Sequence, residues 1–345
     1  MTAHDKALTK RSGAVDMTHG GGGRAMADLI RDLFQRHLGN PILDQGNDAA
    51  LVEVPPGRLV MSTDGHVIAP LFFPGGDIGS LSVHGTLNDV AMAGARPLYL
   101  TVGFILEEGY PLADLERIVM SMAEAATRAG VPIVTGDTKV VEKGKGDGVF
   151  ITTTGLGVVP DGVRVSADRA VPGQAILLSG SIGDHGVAIL SKRENLEFET
   201  EICSDSAALH TLVADMIAAV PDIAVLRDPT RGGLAATLNE IARTARVGMM
   251  LDETAIPVKP DVSAACELLG LDPLYVANEG KLVCLCAADD ADRLVDIMHA
   301  HPLGRDAAVI GSVIEDPHGL VQMRTSFGGA RVVDWLSGEQ LPRIC

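Results

Sequence analysis

The sequence predicts a two-domain α/β protein. Its 345 residues suffice for two separate hydrophobic cores. Stretches with strand-like and helix-like hydrophobic patterns alternate along the chain, as in sheets that are covered by helices. Prolines and glycines cluster at residues 160–173 and mark a boundary between two such blocks. We therefore expect an N-terminal domain over residues 41–165 and a C-terminal domain over residues 172–335.

The first 40 residues predict a polar leader, a glycine-rich loop and one helix. Residues 20–23 are all glycine, and apolar residues then recur at helical spacing until Gly39, Asn40 and Pro41 end the helix. Glycines directly before a helix offer free backbone N–H groups to a phosphate, which makes Gly21, Gly22 and Gly23 candidate ligand-binding residues. The loop matches neither the P-loop nor the G-x-G-x-x-G pattern, so a flexible leader is the alternative.

The elements of the first domain follow from periodicity and turn residues. The pattern predicts strands at 50–54, 59–63, 98–106, 131–135 and 149–159, and helices at 80–95 and 112–129. Gly130 is placed to end the second of these helices.

The second domain is predicted in the same way. It has strands near 175–179, 247–251, 281–287 and 308–315, and helices near 183–193, 205–219, 231–246, 260–269 and 289–300. Residues 336–345 have no periodicity and are predicted to form a mobile tail.

Composition narrows the classes of function. The chain is 46% hydrophobic and 3% aromatic, and its formal net charge is −17. Such an acidic surface disfavours binding to nucleic acid or to an anionic membrane. A polyphosphate ligand would need a divalent cation or local backbone amides between the like charges.

The cysteines indicate a reducing compartment. All five lie after residue 202, at Cys203, Cys266, Cys284, Cys286 and Cys345. An odd, widely spaced set is not a disulfide framework, and we expect a cytoplasmic protein. The sequence shows no signal peptide, and no apolar run approaches the roughly 20 residues that span a bilayer.

Four aspartates of the first domain are candidate Mg²⁺ ligands: Asp48, Asp64, Asp89 and Asp137. Each stands beside Gly, Thr or Asn where a strand or helix meets a loop. Ligands bind at strand ends in open α/β folds, and convergent carboxylates there would repel one another unless they held a cation. A turn or capping role for each is the alternative.

Three further residues are candidates for handling phosphate or protons. Lys139 follows Asp137 closely, and Arg231 belongs to a segment with two arginines that opens a helix. Both would balance phosphate charge, or else are ordinary surface cations. Glu279 precedes an apolar strand and is either a general base or a turn residue.

Cys345 differs from the other cysteines. Cys284 and Cys286 alternate on a predicted strand and suit a core. Cys345 ends a nonperiodic tail of about nine residues, which would reach roughly 30 Å when extended. Such a thiol suits loading at one site and processing at another, and a chance tail cysteine is the alternative.

Together these features resemble the HypE family of hydrogenase maturation factors. That family lies in the superfamily of aminoimidazole ribonucleotide synthetase and selenide water dikinase. The resemblance runs from about Gly20 to Cys345 and is carried by residues 20–23, 62–65, 70–79, 85–92, 136–139, 228–233, 278–280 and 342–345. The Asn-Asp and Gly-Asp-Thr elements are shared across the superfamily, whereas the Pro-Arg-Ile-Cys ending is specific to HypE.

The resemblance implies a PurM-like fold and a carbamoyl dehydratase. Its N-terminal domains would join in a dimeric β-barrel, with ATP at a domain or subunit interface. A HypF-type carbamoyltransferase would load Cys345, ATP and Mg²⁺ would serve dehydration to a thiocyanate, and a HypC–HypD complex would accept the cyanide for [NiFe] hydrogenase. Its motifs would bind the nucleotide through Gly21, Gly22, Gly23, Asp64, Asn88, Asp89, Gly136, Asp137 and Thr138.

The resemblance also implies roles for the remaining candidates. Asp48, Asp64, Asp89 and Asp137 would hold the metal, Lys139 and Arg231 would stabilise the transferring phosphoryl group, and Glu279 would be the base. A selenide water dikinase is disfavoured because no cysteine precedes Cys203. A purine cyclo-ligase would leave Cys345 without a task, and a non-enzymatic carrier would use the tail only for docking.

Overall fold

The computed structural model describes residues 13–196, 201–336 and 343–345. Residues 1–12 of the predicted leader lie outside the described residues. The first helical segment begins with α1 (Arg24–Leu29), continues as a π-helix (Ile30–Gln35) and ends with α2 (Arg36–Leu38). Its apolar stripe, which includes Leu29 and Phe34, is buried against the first domain.

A four-stranded sheet forms the first domain. Its strands are β1 (Arg58–His66), β4 (Arg96–Glu107), β5 (Ile133–Val141) and β6 (Val149–Val159), in the order β1-β6-β4-β5, and a short hairpin of β2 (Phe72–Phe73) and β3 (Gly76–Asp77) stands apart. Helices α3 (Ile78–Met92) and α4 (Leu112–Ala129) pack on one face and bury its apolar side chains.

Local sequence explains where these two helices begin and end. The Asp77 carboxylate accepts hydrogen bonds from the backbone N–H groups of Gly79 and Ser80 at 2.7 and 3.1 Å and so caps α3. Helix α4 ends at Gly130, whose φ of 67° is the left-handed conformation that favours glycine. Both helices therefore lie close to their predicted positions.

The strand predicted at residues 50–54 does not form. Its segment pairs with no strand, and Leu51 is 86% exposed, so the apolar residues that suggested a strand find no core to enter. This part of the prediction is wrong. A run of apolar residues indicates a strand only where a neighbouring strand and a core are available.

The other face of the four-stranded sheet is open. Met61 and Ile105 lie on it and are 71% and 42% exposed. Within the described residues the sheet does not close into a barrel. The predicted barrel would therefore require a second chain.

The second domain is built on a seven-stranded sheet in the order β13-β12-β9-β11-β7-β10-β8. Its strands are β7 (Ala175–Leu178), β8 (Val225–Arg227), β9 (Gly248–Asp252), β10 (Val283–Cys286), β11 (Ala308–Ile314), β12 (Val321–Arg324) and β13 (Ala330–Val332). Its helices are α5 (Asp184–Arg193), α6 (His210–Ala219), α7 (Gly233–Ala245), α8 (Pro260–Leu269) and α9 (Ala291–Ala300).

Helices cover both faces of this sheet. Cys284 and Cys286 point into the core under α6 and α9, and Val283 and Leu285 point into the core under α7. Both cysteines are fully buried, as predicted for core residues. In the part of the chain that is described, no helix combines the length and apolarity needed to cross a bilayer.

Candidate active site

The end of the chain is docked between the two domains. Ile344 pairs with Ile68 just beyond β1, and the backbone N–H groups of Val67 and Ala69 donate to Cys345 O and Arg343 O at 2.9 and 3.2 Å. The Ile344 side chain is 3% exposed in the core of the first domain. This antiparallel bridge to the residues that follow β1 places Cys345 at a fixed position.

Helix α5 of the second domain holds the docked segment from its other side. His185 Nε2 donates to Ile344 O at 2.7 Å, while its Nδ1 accepts from the Ser204 hydroxyl at 2.7 Å. Burial lowers the pKa of His185 and keeps the ring neutral, as this pair of bonds requires. At the other end of the helix, Arg193 Nη2 donates to Arg343 O at 2.8 Å.

These contacts differ from the prediction that residues 336–345 form a mobile tail. The predicted tail includes residues 337–342, which lie outside the described residues, but its last three residues are bound on both sides. Arg343 also forms an ion pair with Asp147 at 2.7 Å. Ile344 explains the docking: its apolar side chain enters a core, which an isolated nonperiodic sequence gives no means to foresee.

Docking places the Cys345 thiol among charged groups. Arg231 Nη2 lies 3.7 Å from Cys345 Sγ. Burial and the neighbouring Glu279 raise the pKa of the thiol to about 11, and Arg231 partly offsets this. The docked thiol is therefore protonated at neutral pH, and because the thiolate is the reactive form it is a weak nucleophile in this position.

Glu279 is the most deeply buried carboxyl group beside the thiol. It is 3% exposed, and its Oε1 has no hydrogen-bond partner. Burial, followed by repulsion from Asp228, raises its pKa well above the ordinary value. Its backbone N–H donates to Asp205 at 3.0 Å, and Asp205 is in turn paired with Lys281 at 3.1 Å. The Glu279 backbone is thus held in place, and one oxygen of its carboxylate is left without a hydrogen-bond partner.

Three aspartates surround this pair. Asp89 accepts a hydrogen bond from the Ser62 hydroxyl at 2.7 Å, and burial raises its pKa. Burial, followed by repulsion from Asp89, raises the pKa of Asp228 to about 7. Asp64 repels both of these carboxylates. A bound cation would relieve this repulsion.

The donor set suits Mg²⁺ only in company with other ligands. Among the described residues, no three His, Cys, Asp or Glu side chains are grouped closely enough to hold a metal ion alone. Mg²⁺ in phosphate-transfer sites usually takes one or two carboxylates, with phosphate oxygens and waters completing its shell. Asp64 and Asp89 fit that more limited requirement.

Other predicted residues lie elsewhere. Asp137 and Lys139 bind each other, with Lys139 Nζ 2.6 Å from the carboxylate, and the sheet register puts Asp137 on the opposite face from Asp64. Asp48 lies in an exposed loop. The positions of the aspartates at strand ends predicted that they form one cluster. Because side chains alternate along a strand, Asp64 and Asp137 lie on opposite faces of the sheet.

The glycine-rich loop lies against β5, the strand at the edge of the sheet that carries Asp137. A Cβ on Gly20 would stand 2.9 Å from Val140 Cβ, which shows how closely the loop approaches β5. The exposed Gly21, Gly22 and Gly23 follow, and Gly22 and Gly23 have open space around them. On β5, Gly136 is exposed and Thr138 is buried.

Comparison with known proteins identifies the family. The family models for the AIR synthase related protein match in both halves, the N-terminal domain at residues 46–159 and the C-terminal domain at residues 171–324. The carbamoyl dehydratase HypE of Azotobacter vinelandii is 70% identical over 338 residues, which are 98% of this chain and 99% of that protein. The chain belongs to the HypE family.

Solved HypE structures share the fold. A HypE structure in complex with ATP is 53% identical, with a TM-score of 0.92 over 95% of this chain and 99% of that one. The HypE chain of a HypE–HypF complex is 48% identical, with a TM-score of 0.79 over 89% of this chain and 99% of that one. The predicted two-domain α/β, PurM-like fold is confirmed at this level.

Asp228 and His185 of this HypE-family site were not predicted from the sequence. Asp228 stands in the segment 228–233 with Arg231, and that segment is the signal that could have identified it, whereas His185 gives none. Nucleotide binding by Asn88 stays a prediction; in the structure its side-chain amide donates to Ala207 O and Glu279 O and accepts from Leu209 N. Asn88 thereby ties α3 to the second domain and positions Glu279.

Proposed function

We propose that this chain is an ATP-dependent carbamoyl dehydratase that acts on its own Cys345. A carbamoyl group on Sγ and ATP would give a thiocyanate, ADP and phosphate, the carbamoyl oxygen leaving with the phosphate. The docked position of Cys345 between Arg231 and Glu279 carries this proposal. The curated relative from Azotobacter vinelandii bears the name of the same activity.

The side chains suit the chemistry of that reaction. An amide oxygen leaves poorly until it is phosphorylated, and negative charge then develops on the departing phosphate. Arg231 stabilises this charge. Both protons must leave the nitrogen to form the nitrile: Glu279, with its unpaired buried oxygen, accepts one when it is ionised, and the other leaves with the phosphate. Cys345 acts as a tether and does not attack the substrate.

The nucleotide and Mg²⁺ are assigned to the aspartates beside the thiol. Asp64 and Asp89 would supply the metal with carboxylate oxygens, and the bound ion would neutralise phosphate charge. Asp48, Asp137 and Lys139, with Gly136 and Thr138, are secondary candidates for nucleotide contacts. Gly21, Gly22 and Gly23 join them because all three residues are exposed before a helix, although the Gly21 N–H already donates to Thr18 O.

Intact-mass analysis tests this function directly. After loading by a carbamoyltransferase, the protein is expected to gain the mass of one carbamoyl group and, on addition of ATP and Mg²⁺, to lose one water. The same reaction with a chelator of Mg²⁺ is expected to stop at the carbamoylated form. Failure of the loaded wild-type protein to lose water with ATP and Mg²⁺ would refute the proposed function.

The partners follow from the position of the thiol. Because docking binds the end of the chain on both sides and raises the pKa of the thiol, we expect loading by a HypF-type carbamoyltransferase on the undocked tail. The HypE relative solved with HypF supports this partner. A HypC–HypD complex would accept the cyanide. The described cysteines are free thiols, which suits a cytoplasmic enzyme.

The open face of the four-stranded sheet is the proposed homodimer interface. Pairing two such faces would bury Met61 and Ile105 and complete a barrel. Met61→Asp is expected to shift the protein from dimer to monomer in sedimentation velocity, because charge would be buried at the interface. Met120→Asp is the matched control, because Met120 lies on α4 and is 50% exposed. A wild-type monomer, or a Met61→Asp dimer, would contradict this interface.

A further inference from the structure

Arg193, the last residue of α5, binds the first domain and the docked end of the chain at the same time. Its Nε donates to Ala69 O at 2.9 Å, and its Nη2 donates to Arg343 O at 2.8 Å. Ala69 belongs to the segment after β1 with which the end of the chain pairs. One guanidinium group of the second domain therefore joins both sides of that pairing, which the forked donors of arginine suit better than a lysine ammonium.

Asp147 holds Arg343 by its side chain. It lies in the loop between β5 and β6, 2.7 Å from the Arg343 guanidinium group. The φ of Arg343 is 54°, a left-handed conformation that is uncommon for a residue with a side chain and needs surrounding contacts to hold it. Arg193 and Asp147, which we call the clasp, supply those contacts to its backbone and its side chain.

The clasp acts two residues before the reacting thiol. Ile344, between them, is 3% exposed in the core of the first domain. Holding Arg343 keeps Ile344 in that core and so keeps Cys345 Sγ at 3.7 Å from Arg231 Nη2. Because displacements of about 1 Å are costly for catalysis, residues that hold Arg343 affect the reaction without touching the reacting atoms.

The two halves of the clasp differ in strength. The side chains of Arg343 and Asp147 are 56% and 43% exposed, and ion pairs in contact with water contribute little. The two hydrogen bonds from the charged Arg193 to backbone carbonyls contribute more. Arg193 therefore supplies most of the stabilisation. The exposure of the clasp also makes Arg343 the point at which the tail is released for loading.

We propose that Arg193 is a positioning residue that, with Asp147, holds the tail in the docked position from which the carbamoyl group is dehydrated. Opening of the clasp frees Cys345 for loading, so its strength sets the balance between loading and dehydration. The two rates rest on the proposed dehydratase function, whereas docking is measured without ATP and without a loaded thiol.

Arg193→Met tests the inference in the full-length protein, because it removes both donors and keeps an unbranched side chain. The Val67 amide reports docking, since it donates to Cys345 O. Its protection against hydrogen exchange is expected to fall about tenfold, and only about twofold in Asp147→Asn. Dehydration of carbamoylated Arg193→Met should slow by about three- to tenfold, whereas carbamoyl loading should be at least as fast as in the wild type. Arg193→Lys should lie between the two.

Lys192→Met is the matched control, because it removes the same charge from the exposed neighbouring position of α5. It should leave the protection and both rates unchanged. A general structural defect slows loading and dehydration together, whereas weaker docking slows dehydration alone. Wild-type protection or wild-type dehydration in Arg193→Met, slower loading by that variant, or an equal loss of protection in Lys192→Met would overturn the inference. Failure of the loaded wild type to lose water would instead refute the proposed function, and the Val67 amide would still decide whether Arg193 holds the tail.

Discussion

Cys345→Ala is expected to abolish both the carbamoyl mass gain and thiocyanate formation while leaving ATP affinity unchanged. The reason is chemical, since alanine has no atom to which the carbamoyl group can be attached. The backbone bonds that dock the tail involve Val67, Ala69 and His185 and not the thiol, so the variant should dock normally. Intact mass, titration with ATP and hydrogen exchange at residues 67–69 measure the three properties separately.

Cys203→Ala is the control for this variant. Cys203 is a free, exposed cysteine and should be dispensable for loading and for dehydration. A carbamoyl adduct on Cys345→Ala would place the reacting thiol elsewhere and refute the role of Cys345 as the carrier of the carbamoyl group. Loss of ATP affinity in that variant would mean that the docked end helps to form the nucleotide site.

Strong periodicity allowed most of the fold to be predicted from the sequence. Helix α4 combines an apolar stripe with Gly130 at its end, and it forms where expected. Strands β8, β12 and β13 were missed because each is short and includes an arginine, whereas the equally short β7 and β10 are continuous apolar runs. Such strands form because a neighbouring strand accepts their hydrogen bonds, which is information that local sequence lacks.

The candidate site was also predicted from the sequence only in part. Asp64, Asp89, Arg231, Glu279 and Cys345 are brought together as a set, although their separation along the chain gave no measure of their distances. Asp137 is directed away by strand alternation. Its motif predicts the loop chemistry, but the face of the sheet depends on register.

Glu279→Gln is expected to slow water loss from the carbamoylated protein by about 10²–10⁴-fold, the usual contribution of a general base. Glutamine preserves the shape but cannot accept the proton. The wild-type rate should rise with pH as Glu279 ionises, over a range displaced upward by its raised pKa, and the variant should lack this rise. Single-turnover mass measurements across pH separate this effect from ATP binding, which should be unchanged.

The raised pKa of Glu279 also predicts that Glu279→Gln, which slows the reaction, stabilises the fold. The folded state holds the Glu279 proton more tightly than the unfolded chain, so this group stabilises the fold fully at low pH and loses that contribution as pH rises through its folded pKa. Glu279→Gln should therefore unfold at a higher temperature than wild type at pH 8, with a smaller difference at pH 4. Glu267→Gln, on an exposed site of α8, should change neither property. A Glu279→Gln variant that lost both stability and rate would have a packing defect. A variant that gained stability and lost rate would show that the fold keeps a buried, repelled carboxylate for proton transfer.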